Sequence, residues 1–169
     1  MKPRSVLLDL TPLIPLVAIP ALLRRRTGSG GMGWSFPGPV KWLAAILGTT
    51  LWLAGAALMI WTIRLFWKQG KGTLAPFDPT RRLVAVGPYQ HVRNPMYTGV
   101  FLVLSGETLL LGSPAILVYA LLFCALPFVY VPLVEEPGLE QRFGAGYRTY
   151  KANVPRWIPQ LTPWTGSEA

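Results

Sequence analysis

Apolar positions in this chain fall into long blocks, not into the strict alternation of a half-buried strand. The longest block runs over residues 42–67: 26 residues with Arg64 as the single charge. As a helix it would rise roughly 39 Å against a hydrocarbon core of about 30 Å, so it can cross a bilayer with tilt or protrude into water. Residues 96–111 and 114–134 form two further runs, parted by Gly112-Ser113. The pair predicts a helical hairpin in the membrane. The first run, residues 6–23, carries Asp9 and prolines at 12, 15 and 20, each of which weakens a helix. Lys2 and Arg4 ahead of an apolar stretch have the outline of a signal peptide, but Arg24-Arg25-Arg26 stands where a small-residue cleavage site would be, so the run reads as retained. The pattern predicts an all-α, polytopic membrane helical bundle of about four spans.

The segments between the blocks are uneven in character. Residues 27–39 hold five glycines and two prolines and read as a flexible connector, with Trp34 and Phe36 suited to the membrane interface. The 68–95 loop contains Gly70, Gly72, Pro76, Pro79 and Pro88 and predicts little regular structure; its apolar stretch 82–86 is too short to span. Beyond Val134 the chain turns amphipathic. Leu139, Phe143, Tyr147 and Tyr150 recur at intervals of four, four and three, which places them on one face of a helix ended by residues 154–159. Such a helix could close a pocket under the bundle as a lid. One structural domain results, with N-terminal spans and connector in 1–67 and the chemistry-bearing loop, hairpin and tail in 68–169.

Charge refines this picture. Hydrophobic residues make up 51% of the chain and charged ones only 14%, against about 25% in soluble domains. With four spans, eleven Lys and Arg (residues 2, 4, 68, 71, 81, 82, 93, 142, 148, 151 and 156) share one side and four (24, 25, 26 and 41) the other. That bias puts the 68–95 loop in the cytoplasm, although the arginine triplet pulls the other way. The net charge of +9 is scattered along membrane-flanking loops, where anionic lipid headgroups account for it, and no nucleic-acid partner is expected. Cys124 is the single cysteine and His91 the single histidine, so neither an intrachain disulfide nor a histidine metal pair can form. Cys124 reads as a packing residue. Nothing in the pattern specifies an oligomeric state.

Three constellations could carry chemistry. The loop 87–99, Gly-Pro-Tyr-Gln-His-Val-Arg-Asn-Pro-Met-Tyr-Thr-Gly, is stiff, aromatic and basic, and fits either an interface turn or a binding surface. Glu135-Glu136 follow an apolar run; adjacent acids there repel and call for a cationic partner, unless they form a solvated helix start. The third is the tail pattern with Phe143-Gly144, Tyr147 and Tyr150 before Val154-Pro155. Glu107, inside a span, is either a helix-packing hydrogen bonder or a pocket residue. His91 alone reads as structural more readily than as catalytic.

In combination, the order Leu83-Val84, Gly87-Pro88-Tyr89, Arg93-Asn94-Pro95-Met96-Tyr97, an apolar hairpin, Glu135-Glu136 and the tyrosine-bearing tail resembles the isoprenylcysteine carboxyl methyltransferase family and its phospholipid methyltransferase relatives. The resemblance covers residues 68–159. It implies a multi-span helical protein whose cytosolic loop and tail enclose S-adenosylmethionine. By position it makes Arg81, Arg82, Leu83, Val84, Tyr89, Asn94, Pro95, Met96, Tyr97 and one of Glu135 or Glu136 cofactor-binding candidates. A carboxylate would pair with the cofactor's ammonium, aromatic faces suit its sulfonium and apolar walls its adenine. The family often has histidine where this chain has Asn94. Its isoprenylcysteine members also resemble one another in an arginine shortly before the paired glutamates, where this chain has the uncharged residues 127–134; a prenylated cysteine carboxylate is therefore disfavoured as the acceptor.

The function these readings imply is methyl transfer from S-adenosylmethionine to a hydrophobic or amphiphilic acceptor entering from the bilayer. In-line displacement at a sulfonium needs alignment and exclusion of water more than acid–base machinery. Glu107, Glu136 and His91 are the available bases, and no metal is called for. A sterol reductase-like oxidoreductase and a non-catalytic membrane protein of the same fold are the rival readings. The small size and the absence of an organelle-targeting segment point to a bacterial inner membrane.

Overall fold

The computed structural model describes residues 14–27, 34, 37–70 and 82–166. Asp9, Phe36, Lys71 and Arg81 lie outside them. All regular structure among the described residues is helical. A wide π-turn, Ile14–Ala18, leads into α1, Ile19–Thr27. Helix α2, Gly38–Leu65, continues as a second π-turn, Phe66–Gly70. A 3₁₀ turn, Gly87–Gln90, precedes α3, Pro95–Leu111. Helix α4, Pro114–Tyr130, passes through a π-turn, Val131–Glu135, into α5, Glu136–Asn153.

Two helical runs, Gly38–Gly70 and Pro114–Asn153, are long and apolar enough to cross a membrane. Their most apolar windows are only 17% and 22% buried within the protein. A core helix of a soluble domain would be mostly covered, so these faces, with Trp42, Leu43, Ile46, Leu121, Leu122 and Leu126 exposed, are those of a membrane protein. Helix α3 is equally apolar but has only 17 residues, about 25 Å of rise.

Helices α2 and α3 meet backbone to backbone. Gly48 and Gly55 of α2 face Gly106 and Gly99 of α3, and both pairs are seven residues apart, which keeps them on one stripe. A Cβ at Gly55 would stand 2.6 Å from the Gly99 carbonyl oxygen, and one at Gly106 2.6 Å from that of Gly48. Small residues are what allow apolar helices to approach so closely where lipid supplies no hydrophobic drive. Leu16, Met59, Val100, Val103, Leu104 and Ala120 fill the adjoining core, with Cys124 packed at its edge. Trp34 donates its indole N–H to the Thr108 carbonyl at 3.0 Å.

The hairpin forms at the predicted place. Gly112 takes the left-handed conformation (φ 57, ψ 36) and its N–H closes on the Thr108 carbonyl at 3.0 Å, ending α3 so that Pro114 can begin α4. Pro127 in α4 and Pro132 in the π-turn cannot donate to the helical ladder, and the backbone relaxes into the wide turn over Val131–Glu135. Among its described residues the loop is more regular than its composition predicts, with helical backbone through Gly70 and a 3₁₀ turn at Gly87–Gln90.

The tail departs from the single continuous helix predicted by its spacing. Gly144 sits at φ 55, ψ −126, a conformation open essentially to glycine alone, and breaks α5 in two. Beyond the break Tyr147, Tyr150 and Val154 form a second buried cluster, with Leu83, Ala85, Leu139, Phe143 and Trp164 packed around it.

Candidate functional site

A cavity of about 470 Å³ lies where the 83–94 loop, the start of α3, the end of α4 and the tail converge. Ligand pockets typically run about 300–1,000 Å³. The bundle side is apolar: Pro15, Leu16, Phe66, Val100, Phe123 and Val131. The loop contributes Leu83, Val84, Tyr89, Arg93 and Asn94, and α3 contributes Met96 and Tyr97. Glu135, Glu136, Leu139, Arg142, Phe143, Tyr147 and Tyr150 complete the wall. The four tail residues picked out by their spacing therefore share one cavity despite the break at Gly144.

Hydrogen bonds zip the loop to the tail. The Arg93 N–H donates to the Pro155 carbonyl (2.9 Å), the Gln160 N–H to that of His91 (3.0 Å) and the Trp164 N–H to that of Gln90 (3.0 Å). Side chains add to this: His91 Nδ1 donates to the Gln160 carbonyl at 2.8 Å, Asn94 Nδ2 to the Arg156 carbonyl at 3.1 Å, and the Tyr150 hydroxyl to the Tyr89 carbonyl at 2.7 Å. Pro88 and Pro95 stiffen the loop at both ends, so these bonds hold a segment with little freedom to lose.

The adjacent glutamates, just beyond the apolar run that ends at Val134, have different surroundings. Glu136 is the hub of an ion-pair network. Its Oε1 accepts from Arg93 Nη1 at 2.8 Å and Arg156 Nε at 2.7 Å, and its Oε2 from Arg156 Nη2 at 2.9 Å, with Lys151 Nζ 3.5 Å away. Burial by itself would raise its pKa; the Arg156 hydrogen bond and the charges of Arg93, Arg156 and Lys151 outweigh that and hold it below the usual carboxylate value. Glu135 accepts from the Tyr97 hydroxyl at 3.0 Å and has no ion-pair partner among the described residues. Burial raises its pKa, with the Tyr97 hydrogen bond opposing and Glu136 adding to the rise. The Arg93 Nε is buried without a hydrogen-bond partner among the described residues.

Of the residues predicted from sequence, Leu83, Val84, Tyr89, Asn94, Met96, Tyr97, Glu135 and Glu136 come together on this cavity. Arg82 and Pro95 are not in its lining, and Pro95 instead starts α3. His91 faces the tail carbonyl. Glu107 lies in α3, receives a hydrogen bond from Trp52 of α2, and leaves Oε2 buried and unpaired away from the cavity lining. Sequence reading missed Arg93 as a wall residue, although it stands inside the quoted loop, along with Phe66 and Arg142. Pro15, Leu16 and Phe66 bring the first 67 residues into the site.

Methanethiol S-methyltransferase of Pseudomonas deceptionensis is 29% identical over 135 residues, 74% of this chain and 49% of the relative. Protein-S-isoprenylcysteine O-methyltransferase of Schizosaccharomyces pombe is 36% identical over 82 residues, 47% of this chain and 34% of the relative. The chain thus spans half or less of the length of these curated relatives. The phospholipid methyltransferase family model matches residues 43–146, which take in most of the cavity wall but stop short of Tyr147 and Tyr150. As that match takes in more than half of the sequence, the chain belongs to the phospholipid methyltransferase family.

Proposed function

We propose that this protein is an integral membrane methyltransferase that moves a methyl group from S-adenosylmethionine to a hydrophobic or amphiphilic acceptor. Family membership and the methyltransferase relatives support the reaction class. The observation that carries the donor is the asymmetry of the cavity wall: among the described residues Glu135 has no cation, and Arg93 keeps a buried Nε–H without an acceptor. An amino-acid end, with its ammonium and carboxylate, would satisfy both. Among the candidate contacts, Glu135 would take the ammonium, Arg93 the carboxylate, Tyr89 and Tyr97 the sulfonium, and Leu83, Val84 and Met96 the adenine.

When bound, S-adenosylmethionine supplies an electrophilic methyl group on a good leaving group. The residues of the chain have the remaining tasks of orienting the two reactants and excluding water. Glu136 holds Arg93 and the tail in place. Asn94 and His91, bonded to tail carbonyls, act in the same way. The apolar end of the cavity, at Leu16, Val100, Phe123 and Val131, suits an apolar acceptor. The arrangement we infer has about four spans, the catalytic region in 68–169, and the cavity at the cytoplasmic face of a bacterial inner membrane.

Isothermal titration of the detergent-purified protein with S-adenosylmethionine tests the reading. Saturable binding is expected, and Glu135→Gln should weaken it by one to two orders of magnitude, about 1.5–3 kcal/mol for a hydrogen bond to a charged group. No measurable binding by folded protein refutes it. Binding of a reduced nicotinamide cofactor instead would favour an oxidoreductase.

A further inference from the structure

The segment after α5 has a surface that the cavity does not use. Trp157 packs on Phe128 of α4 with ring centroids 4.6 Å apart, on Phe101 of α3 at 6.1 Å and on Tyr97 at 6.3 Å. Phe101 is six residues past the start of α3, and Phe128 six residues before Val134. Trp157 therefore meets side chains of the second turn of α3 and the last turn of α4, both within apolar stretches. Phe128 belongs to the exposed apolar surface of α4, so the tail lies against a lipid-facing flank.

Next to this ring the chain exposes large apolar side chains. Ile158 is 80% exposed and Leu161 97% exposed. Backbone hydrogen bonds flank them: the carbonyls of Pro155, Arg156 and Gln160 accept from Arg93, Asn94 and His91, and the N–H groups of Gln160 and Trp164 donate to the loop. Pro155, Pro159 and Pro163 have no N–H to satisfy. Irregular backbone avoids the hydrocarbon centre because its polar groups would be orphaned there. A segment pinned in this way belongs at the boundary, where water and headgroups still reach its remaining polar groups, apolar faces of interfacial elements reach about 5–10 Å in and tryptophan is favoured.

We propose that residues 157–161 form an interfacial membrane anchor, with Ile158 and Leu161 inserted among the lipid acyl chains and Trp157 bridging them to α3 and α4. Because the same segment is hydrogen-bonded to the loop that lines the cavity, seating it in the bilayer holds that loop. The lipid surface is favoured over a second copy of the chain because the patch is continuous with the lipid-facing flank of α4.

Nitroxide labelling in lipid nanodiscs of phosphatidylcholine and phosphatidylglycerol tests the anchor. Cys124→Ala removes the one native thiol, and Leu161→Cys places a label where the side chain is almost fully exposed. Ile46→Cys on the exposed face of α2 and Arg148→Cys on the polar tail are the references. The label at 161 is expected to be relaxed by oxygen more than by a water-soluble nickel chelate, as at 46. Chelate access equal to that at 148 overturns the anchor. Dipolar broadening that disappears on dilution with unlabelled protein assigns the patch to a second copy and overturns it too.

Discussion

Replacing Glu136 with glutamine should destabilise the fold, whereas the same change one residue earlier should not. The Glu136 side chain is 3% exposed and Arg93 only 10%, while Arg156 is 33% exposed. Removing one partner of a buried ion pair costs about 3–5 kcal/mol, because the remaining charge is left in a poor solvent. Arg156 and Lys151 can turn to water, which discounts their share. Arg93 cannot, and one amide oxygen replaces two carboxylate oxygens. The low end of the range, about 3 kcal/mol or a factor of about 150 in the folded-to-unfolded ratio, is expected. At Glu135, glutamine still accepts the Tyr97 hydroxyl and breaks no ion pair, so little change is expected there. Reversible unfolding by sodium dodecyl sulfate in mixed micelles, followed by circular dichroism, measures both. Equal losses for the two variants, or wild-type stability for Glu136→Gln, would refute the division of roles.

Further outcomes follow from the same geometry. Because the Glu136 pKa is depressed in the folded state, its contribution is present above the unfolded value of about 4.3 and is lost as pH falls through the lower folded one; the wild-type advantage over Glu136→Gln should be flat from pH 8 to 5 and shrink in more acidic buffer. Gly106→Ala pushes a methyl group into the α2 backbone and should cost about 1–3 kcal/mol in the same assay, while Gly38→Ala, with open space around it, should be nearly neutral. Gly144→Ala forces a strained backbone and should cost about 1–3 kcal/mol, with weaker titratable binding of S-adenosylmethionine because Leu139 and Phe143 shift relative to Tyr147. Tyr150→Phe removes a buried bond to the Tyr89 carbonyl and should cost about 1–2 kcal/mol by the same unfolding measurement.

Much of the fold was legible because it rests on local chemistry. Blocks of apolar residues specify helices, Gly112-Ser113 specifies the hairpin turn, and Pro95 and Pro114 mark where α3 and α4 begin. The intervals among Leu139, Phe143, Tyr147 and Tyr150 pointed to one shared surface, and all four line the cavity. The break at Gly144 was not legible, since a helical spacing can persist on either side of one glycine. The helical backbone over residues 68–70 and the turn Gly87–Gln90 were missed because glycine and proline counts record breakers without the surroundings that overrule them.

The sequence by itself determined that the chain is helical, apolar in long runs, and equipped with a loop and a pair of acids in the order of its family. It left Glu135 and Glu136 equivalent. Their roles parted only in three dimensions, because neighbouring residues on a helix point about 100° apart and meet different surroundings. Both line the cavity, but Glu136 reaches Arg93 and Arg156, which lie 43 and 20 residues away in the chain, while Glu135 reaches Tyr97. Which cation neutralises which acid depends on distances and burial that spacing does not encode, so only the tertiary structure separated the ion-paired carboxylate from the one without a cation among the described residues.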